Sequence, residues 1–350
     1  MDRPLFVDRV IVKLANKPFL KISKHAKKNL GGKFMNSFSS LISKLIALIV
    51  TFGVLISFYT PVEPYNVKDE ENLLMSFVSI SDTHIQSWTS LFEYKQAVYL
   101  ARGLKELNAA AVKPDALAIS GDITHHGDDA EYRALHAVFD FYPTPENLIL
   151  APGNHDFGNT GEGDYNEYRE RFIDYYKKIT GRTIENPYYA TVIKGYYFIV
   201  IASEAMAGTL QYFTQTQLDW LDEILTEAET VSPGKPIFVF NHNPLKGTNN
   251  VDIKWPTGGT PGPQSDDIME ILQRHQNVFF ITGHTHDKLD EGRVMTIGNV
   301  HFVNTPCYHR NDDYGTGYVF EAYEDHVVLR ARNLLKSEWR DFEYIFDLAS

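Results

Sequence analysis

The 350-residue chain has a single cysteine, Cys307, so it can form no internal disulfide and can build no zinc site from several thiolates. Basic charge is scarce beyond the first 44 residues. Residues 1–44 hold ten Lys/Arg against two Asp, a balance of +8, so with a net charge of -12 the rest carries -20. A body of that sign repels a phosphate backbone, which argues against nucleic acid as a partner. Internal repeats and low-complexity tracts are lacking too, and with them the repeat and tail architectures they would signal.

Long apolar runs are also scarce, with one exception. Leu45 to Tyr59 reads LIALIVTFGVLISFY without a charge, and from Leu41 only Ser43 and Lys44 interrupt the run. Residues 41–59 just reach the ~17–25 needed to span a bilayer, and Lys44 can snorkel at the edge. The charge step across the run predicts a single-pass cell-membrane protein with 1–44 in the cytoplasm and the chain beyond Pro61 outside. A cleaved signal peptide is the rival reading. The long basic region and the absence of an A-x-A-like site in Thr60-Pro61-Val62-Glu63 weigh against it. Residues 9–30 mix Lys with apolar side chains and suit either an anionic lipid surface or a solvated tail.

The composition is that of a chain able to bury a core: 43% apolar and 22% charged overall. Residues 60–72 are rich in Pro and acid and read as a linker. Short apolar runs then alternate with helical patterns. FVSISD (77–82), ALAIS (116–120), LILAPG (148–153), FIVIAS (198–203), FVFNH (238–242), FFITGH (279–284) and HFVNTP (301–306) read as buried strands. Helices are expected near 94–109, 128–140, 164–179, 215–228 and 265–275, the fourth capped by Thr216. Residues 317–346 read as closing strands. The expected organisation is a basic tail (1–44), an anchor or signal (45–59), a linker (60–74) and an α/β layered domain (75–350).

Ionisable side chains gather where the apolar runs stop: Asp82-Thr83-His84, Gly121-Asp122, Gly153-Asn154-His155-Asp156, Asn241-His242 and Gly283-His284-Thr285-His286. If extended geometry persists there, Asp82 with His84 and His284 with His286 each point to one side. Carboxylate with imidazole suits borderline divalent metals such as Mn, Fe or Zn. The glycines before Asp122, Asn154 and His284 allow close backbone approach. A lone D-x-H or H-x-H in a chain with 13 His is more often a surface loop. Five such blocks in this order, each after a strand-like run, are a strong signal.

These blocks resemble the calcineurin-like metallophosphoesterases, marked by D-x-H, G-D, G-N-H-[DE], a lone His at a strand end, and G-H-x-H. The resemblance spans roughly residues 75–335 and implies a four-layer αββα sandwich of two mixed sheets, joined here to one N-terminal transmembrane helix. It implies two divalent transition-metal ions (Mn, Fe or Zn): one held by Asp82, His84 and His286, a second by Asn154, His242 and His284, with Asp122 bridging and His155 as catalytic histidine. Such a pair binds phosphoryl oxygens and lowers the pKa of a shared water, and the metal-bridging hydroxide attacks phosphorus. The reaction implied is hydrolysis of a small or lipid-linked phosphoester, diesters slightly favoured over monoesters. A metal-dependent nuclease and a non-enzymatic metal-binding scaffold are the alternatives.

One position departs from the common pattern. Three residues after Asp122, where many members carry Asp and purple acid phosphatases Tyr, this chain carries His125, as the repair-nuclease branch does. Asp128 or Asp129 is then the available carboxylate partner for His155, and His125 either faces the metals or faces water. His126, His301 and His309 read as ordinary loop or strand-end histidines, Asp156 as a structural carboxylate, and Cys307 as a small buried apolar residue. The segments 157–190 and 243–264 come directly after motif blocks and either border the pocket or form irregular surface.

Overall fold

A computed structural model describes residues 62–87, 95–158, 163–205, 208–254, 258–309 and 314–349. The basic stretch 1–44 and the apolar run 45–59 lie outside the described residues. Among the described residues no helix is long and apolar enough to cross a membrane.

Among the described residues twelve strands form two six-stranded mixed sheets. The first has the order β12-β11-β10-β1-β2-β3, built from β1 (Met75–Ile80), β2 (Ala116–Ser120), β3 (Asn147–Ala151), β10 (Thr316–Ala322), β11 (His326–Asn333) and β12 (Glu338–Asp347). The second runs β4-β5-β6-β7-β9-β8, from β4 (Tyr189–Ile193), β5 (Tyr196–Val200), β6 (Ile237–Phe240), β7 (Val278–Thr282), β8 (Val294–Ile297) and β9 (Val300–Asn304). In each sheet the strands joined through helices are parallel, β1 with β2 with β3 and β5 with β6 with β7, as a crossover connection requires.

Side-chain alternation divides the interior. Phe198, Phe238, Phe240 and Phe279 point toward the first sheet, where Phe77 packs edge-on against Phe238 at 4.8 Å and stacks on Phe320 at 4.4 Å. Their neighbours Ile199, Val239, Val278 and Phe280 point the other way. That outer face is covered by α4 (Gln215–Val231) and α6 (Gln264–Gln273), through Leu218, Leu221, Leu225, Ile268 and Leu272. The helices α1 (Lys95–Ala109), α2 (Asp129–Phe141) and α3 (Tyr165–Thr180) pack into the cluster of the first sheet through Leu100, Leu104, Leu135 and Phe172. The layers are thus helix, sheet, sheet and helix. A short helix, α5 (Val251–Lys254), lies between β6 and α6.

Several sequence expectations need correction. The cap of α4 is Thr214, whose side chain accepts from the Gln217 N–H, not Thr216. Strands β4 and β8 were not legible, because both carry half-exposed positions and lack a continuous apolar run. The stretch read as a linker does more than connect. Tyr65 and Val67 are buried, and Tyr65 packs edge-on against Trp339.

Candidate metal centre

The apolar runs stop as strands about two residues earlier than their sequence suggests. β1 ends at Ile80, β3 at Ala151, β6 at Phe240 and β7 at Thr282. The motif residues beyond do not continue in extended geometry. Asp82, His84, Asp122, His284 and His286 all hold positive φ, between 43° and 68°. Convergence therefore comes from left-handed turns at the strand ends, not from strand alternation. These turns hydrogen-bond to one another: Asp82 N–H donates to the Gly121 carbonyl and His84 N–H to that of Asp122. Close packing needs glycine. A side chain at Gly121 would collide with the His242 imidazole, and one at Gly283 with Ser81 and Asp82.

Three groups of donor atoms result: His84 with His125 and His155, all imidazole, and two that include carboxylates. Asp82, His84, Asp122 and His286 bring one atom each to within 4.8 Å of one another, and Asp122, His242 and His284 do the same. Asp122 belongs to both. Its Oδ2 lies 3.2 Å from His242 Nε2 and 3.5 Å from His84 Nε2. Asp82 Oδ1 lies 2.9 Å from His286 Nε2. Ring nitrogens also face each other, His84 Nε2 with His286 Nε2 at 3.1 Å and His284 Nδ1 with His242 Nε2 at 3.2 Å. The Asn154 amide oxygen is buried in the β3–α3 connection, one residue before His155.

The electrostatics suit cations. Asp82, His84, Asp122 and His242 are all about 1% exposed or less. Burial pushes the Asp82 and Asp122 carboxyls up, but the adjacent histidines, His286 and His242 foremost, hold both well below the usual range. Burial keeps His84 neutral despite Asp122, and burial with the His242 charge drops His284 to about 3. His242 is raised: burial lowers it, but Asp122 and Asp82 lift it to about 9. Two buried carboxylates, three neutral or half-exposed imidazoles and one protonated imidazole form a donor set that divalent cations fit, with His242 surrendering its proton.

The family model of the calcineurin-like phosphoesterases matches residues 75–288. The chain belongs to the calcineurin-like phosphoesterases. It is a metal-dependent phosphoesterase, a hydrolase of ester bonds. It is similar to a probable glycerophosphodiester phosphodiesterase GpdQ of Arcobacter nitrofigilis, 26% identical over 219 residues, or 61% of this chain and 72% of that one. A probable cyclic nucleotide phosphodiesterase of Ruthia magnifica is 25% identical over 223 residues, covering 63% and 81%. Among solved structures, the purple acid phosphatase PPD1 of yellow lupin seeds shares the fold, with a TM-score of 0.53 at 14% identity. That match covers 78% of this chain and 53% of the lupin chain, so the chain spans about half the length of that enzyme.

In this phosphoesterase the histidines around the cluster sort themselves. The His155 N–H donates to Asp122 Oδ1 at 2.9 Å, and its Nδ1 donates to the His125 carbonyl at 2.6 Å. That fixes the tautomer and leaves Nε2 toward Asp122 Oδ2, 3.9 Å away. His125 is half-buried, its Nδ1 3.1 Å from Nδ1 of His84, so it backs a cluster residue and does not face open water. His126 is exposed and pairs with Glu131. Neither Asp128 nor Asp129 serves His155: Asp128 caps α2, and Asp129 accepts from Tyr175. Asp156 is wholly buried and accepts from the N–H groups of Ile123, Thr124 and Gly153 and from the Thr124 hydroxyl, stapling two motif loops together.

His301 lies far from the cluster in the register of β9, packed between Phe279 and Phe346. His309, read as an ordinary loop histidine, instead sits against His84 at 4.5 Å between ring centres, and its Nδ1 donates to the Asp82 carbonyl. Nothing local in the sequence marks it, because the contact is made across 227 residues. Cys307 is buried beside it.

Proposed function

We propose that the protein hydrolyses phosphodiesters at a two-metal centre, one ion at Asp82, His84 and His286 and the other at Asn154, His242 and His284. The observation that carries this reading is Asp122, a buried carboxylate common to both of the donor groups that include carboxylates. Divalent ions in such a pair neutralise phosphoryl oxygens and make water nucleophilic near neutral pH. His155, held by Asp122 and the His125 carbonyl, presents Nε2 to the reacting group, and in its doubly protonated form it would give the Nε2 proton to the departing alkoxide or a hydrogen bond to the phosphoryl charge. The preference for diesters is supported by the names of similar proteins, a glycerophosphodiester and a cyclic nucleotide phosphodiesterase.

The test is a substrate panel on Mn-loaded protein: bis-p-nitrophenyl phosphate, p-nitrophenyl phosphate and single-stranded DNA, with metal analysis in parallel. The reading expects close to two ions per chain and the diester turned over fastest. One tightly bound ion in fully active protein, or a clear preference for the monoester, would sink the corresponding half of it.

We also infer from the sequence that Leu45–Tyr59 is an uncleaved anchor and that the catalytic domain lies outside the cytoplasm. Protease added to spheroplasts should degrade the domain and spare an N-terminal tag; a protected domain overturns this orientation.

A further inference from the structure

The chain enters the domain at its metal-bearing end. β10 is antiparallel to β1 and β11 antiparallel to β10, so β11 points the same way as β1. The metal-binding residues lie beyond the carboxyl ends of β1, β2, β3, β6 and β7. The carboxyl end of β11 is therefore at that same end of the sandwich. The entering segment is fastened first to side chains of β11 and then to β10 and the residue after it. Arg332 Nη2 donates to the Glu63 carbonyl, Arg330 Nη2 donates to the Asn66 carbonyl at 2.6 Å, and Lys68 N–H donates to Glu321 at 2.8 Å. Asp69 N–H then reaches the Tyr323 hydroxyl, and Leu74 N–H pairs with Ala322 beside the start of β1. Residues 63–69 thus run from the metal-bearing end to the opposite end, and the chain turns there into β1.

This path sets two lengths. From Tyr59, the last residue of the apolar run, to Glu63 is four residues, a reach of at most about 14 Å. From β11 to β1 there is one intervening strand, so the lateral offset is about 10 Å. The anchoring is firm, because Arg332 is buried against Glu106 of α1 and Tyr65 is buried beneath Trp339. A domain tethered this closely cannot turn its metal-bearing end far from the surface that holds the tether.

Exposed apolar side chains occur at both ends of the sandwich, with Leu74, Val192, Val231 and Ile345 at the opposite one, so the tether and not apolarity chooses the end; those of the metal-bearing end lie in its loops. Leu210 and Tyr212, in the connection after β5, are 39% and 50% exposed. Gln211 between them is buried and bonded to Asn241, next to His242, which orients its two neighbours outward. Ile253, on α5 after β6, is 82% exposed.

We propose that the metal-bearing end of the sandwich faces the bilayer holding the anchor, with Leu210, Tyr212 and Ile253 at its surface, and that the substrate is a phosphodiester carried by a membrane lipid headgroup. This rests on the phosphodiesterase reading and on the uncleaved anchor. The short tether and its point of entry select lipid as the occupant of this surface, since the bilayer arrives with the chain itself.

The test uses the full chain in phospholipid vesicles. Cys307 is buried, so a fluorophore can be placed selectively on Tyr212→Cys, or on Val192→Cys at the opposite end beside the start of β5. Quenching by nitroxide-labelled lipid should be several-fold stronger at 212 than at 192. Equal quenching, or stronger quenching at 192, overturns the orientation. In a second arm, a rigid helical spacer of about 30 residues between Pro61 and Val62 lifts the domain by about 45 Å. Turnover of a headgroup diester in the same vesicles should fall about tenfold or more, and that of soluble bis-p-nitrophenyl phosphate should not change. Undiminished lipid turnover overturns the proposal. Loss of all diesterase activity in the unspaced protein would be a failure of the phosphodiesterase reading, and the quenching arm would still decide the orientation.

Discussion

The two ends of the sandwich solve the same backbone problem with different residues. At the end opposite the metals, the β4–β5 hairpin turns on Lys194-Gly195, both at positive φ, in the two-residue geometry that matches strand twist. Asn277 takes a left-handed turn into β7, and its amide ties down Gly234 and Ala349. At the metal-bearing end Asn249 and Asn250 also turn left-handed, before α5, but five further left-handed positions are occupied by Asp82, His84, Asp122, His284 and His286. Each holds a conformation that costs a residue with a β-carbon about 1 kcal/mol or more. One end fills its turns with residues that have no part in binding a cation. The other places residues that suit a cation, and the surrounding packing keeps them in the turn. Conformational strain is stored where donor atoms must converge.

The contrast is broken most severely at Asp122. Asp122→Asn should lose both metals and reduce activity to background, with the metal-free protein still folded, because Asn fits the same left-handed turn. Metal analysis with circular dichroism checks this. A variant that keeps both ions and its activity would show that Asp122 does not join the two groups.

His155→Ala should keep its metal content and lose about 10²–10⁴ in turnover. The loss should be larger for alkyl leaving groups than for p-nitrophenolate if His155 delivers a proton. Equal losses would mean that it stabilises charge instead.

Asp156→Ala tests whether packing holds the strained loops. Removing this carboxylate leaves several buried donors unsatisfied, at about 1–3 kcal/mol for each group that finds no water. Denaturant unfolding of the metal-free protein should show the loss. Unchanged stability would mean that the loops hold without the staple.

At the opposite end, titration should act on folding and not on metal loading. Burial lowers His301 to about 4, below its unfolded value near 6.5. The folded state thus prefers the neutral ring, so this contribution to stability is present above pH 6.5 and is lost as pH falls toward 4. His301→Phe should unfold less steeply with acid over that window, with unchanged metal binding. An identical acid profile would discount His301. The smallest effect belongs to Lys194→Asn, which gives the hairpin its preferred Asn-Gly pair. It should raise stability by about 0.5 kcal/mol or less and leave activity untouched, since the exposed Lys194–Asp115 pair is worth little.

The sequence alone determined much of this protein. Apolar runs located seven strands because a strand buried on both faces must be apolar throughout, and the five blocks named side chains whose donor atoms converge at one end of the sandwich. The blocks were legible because metal chemistry restricts the side chains more tightly than packing does. Only the tertiary structure decided how those side chains converge. Alternation along extended strands would have sufficed had the strands run on, yet they end early and left-handed turns bring the donors together, held by bonds between loops that no local pattern announces. The same holds for His309 against Asp82, His125 against His84, and the fastening of residues 63–68 to β11 and β10. In each case the partners are distant in sequence, and the contact exists only because two sheets have closed over a common core.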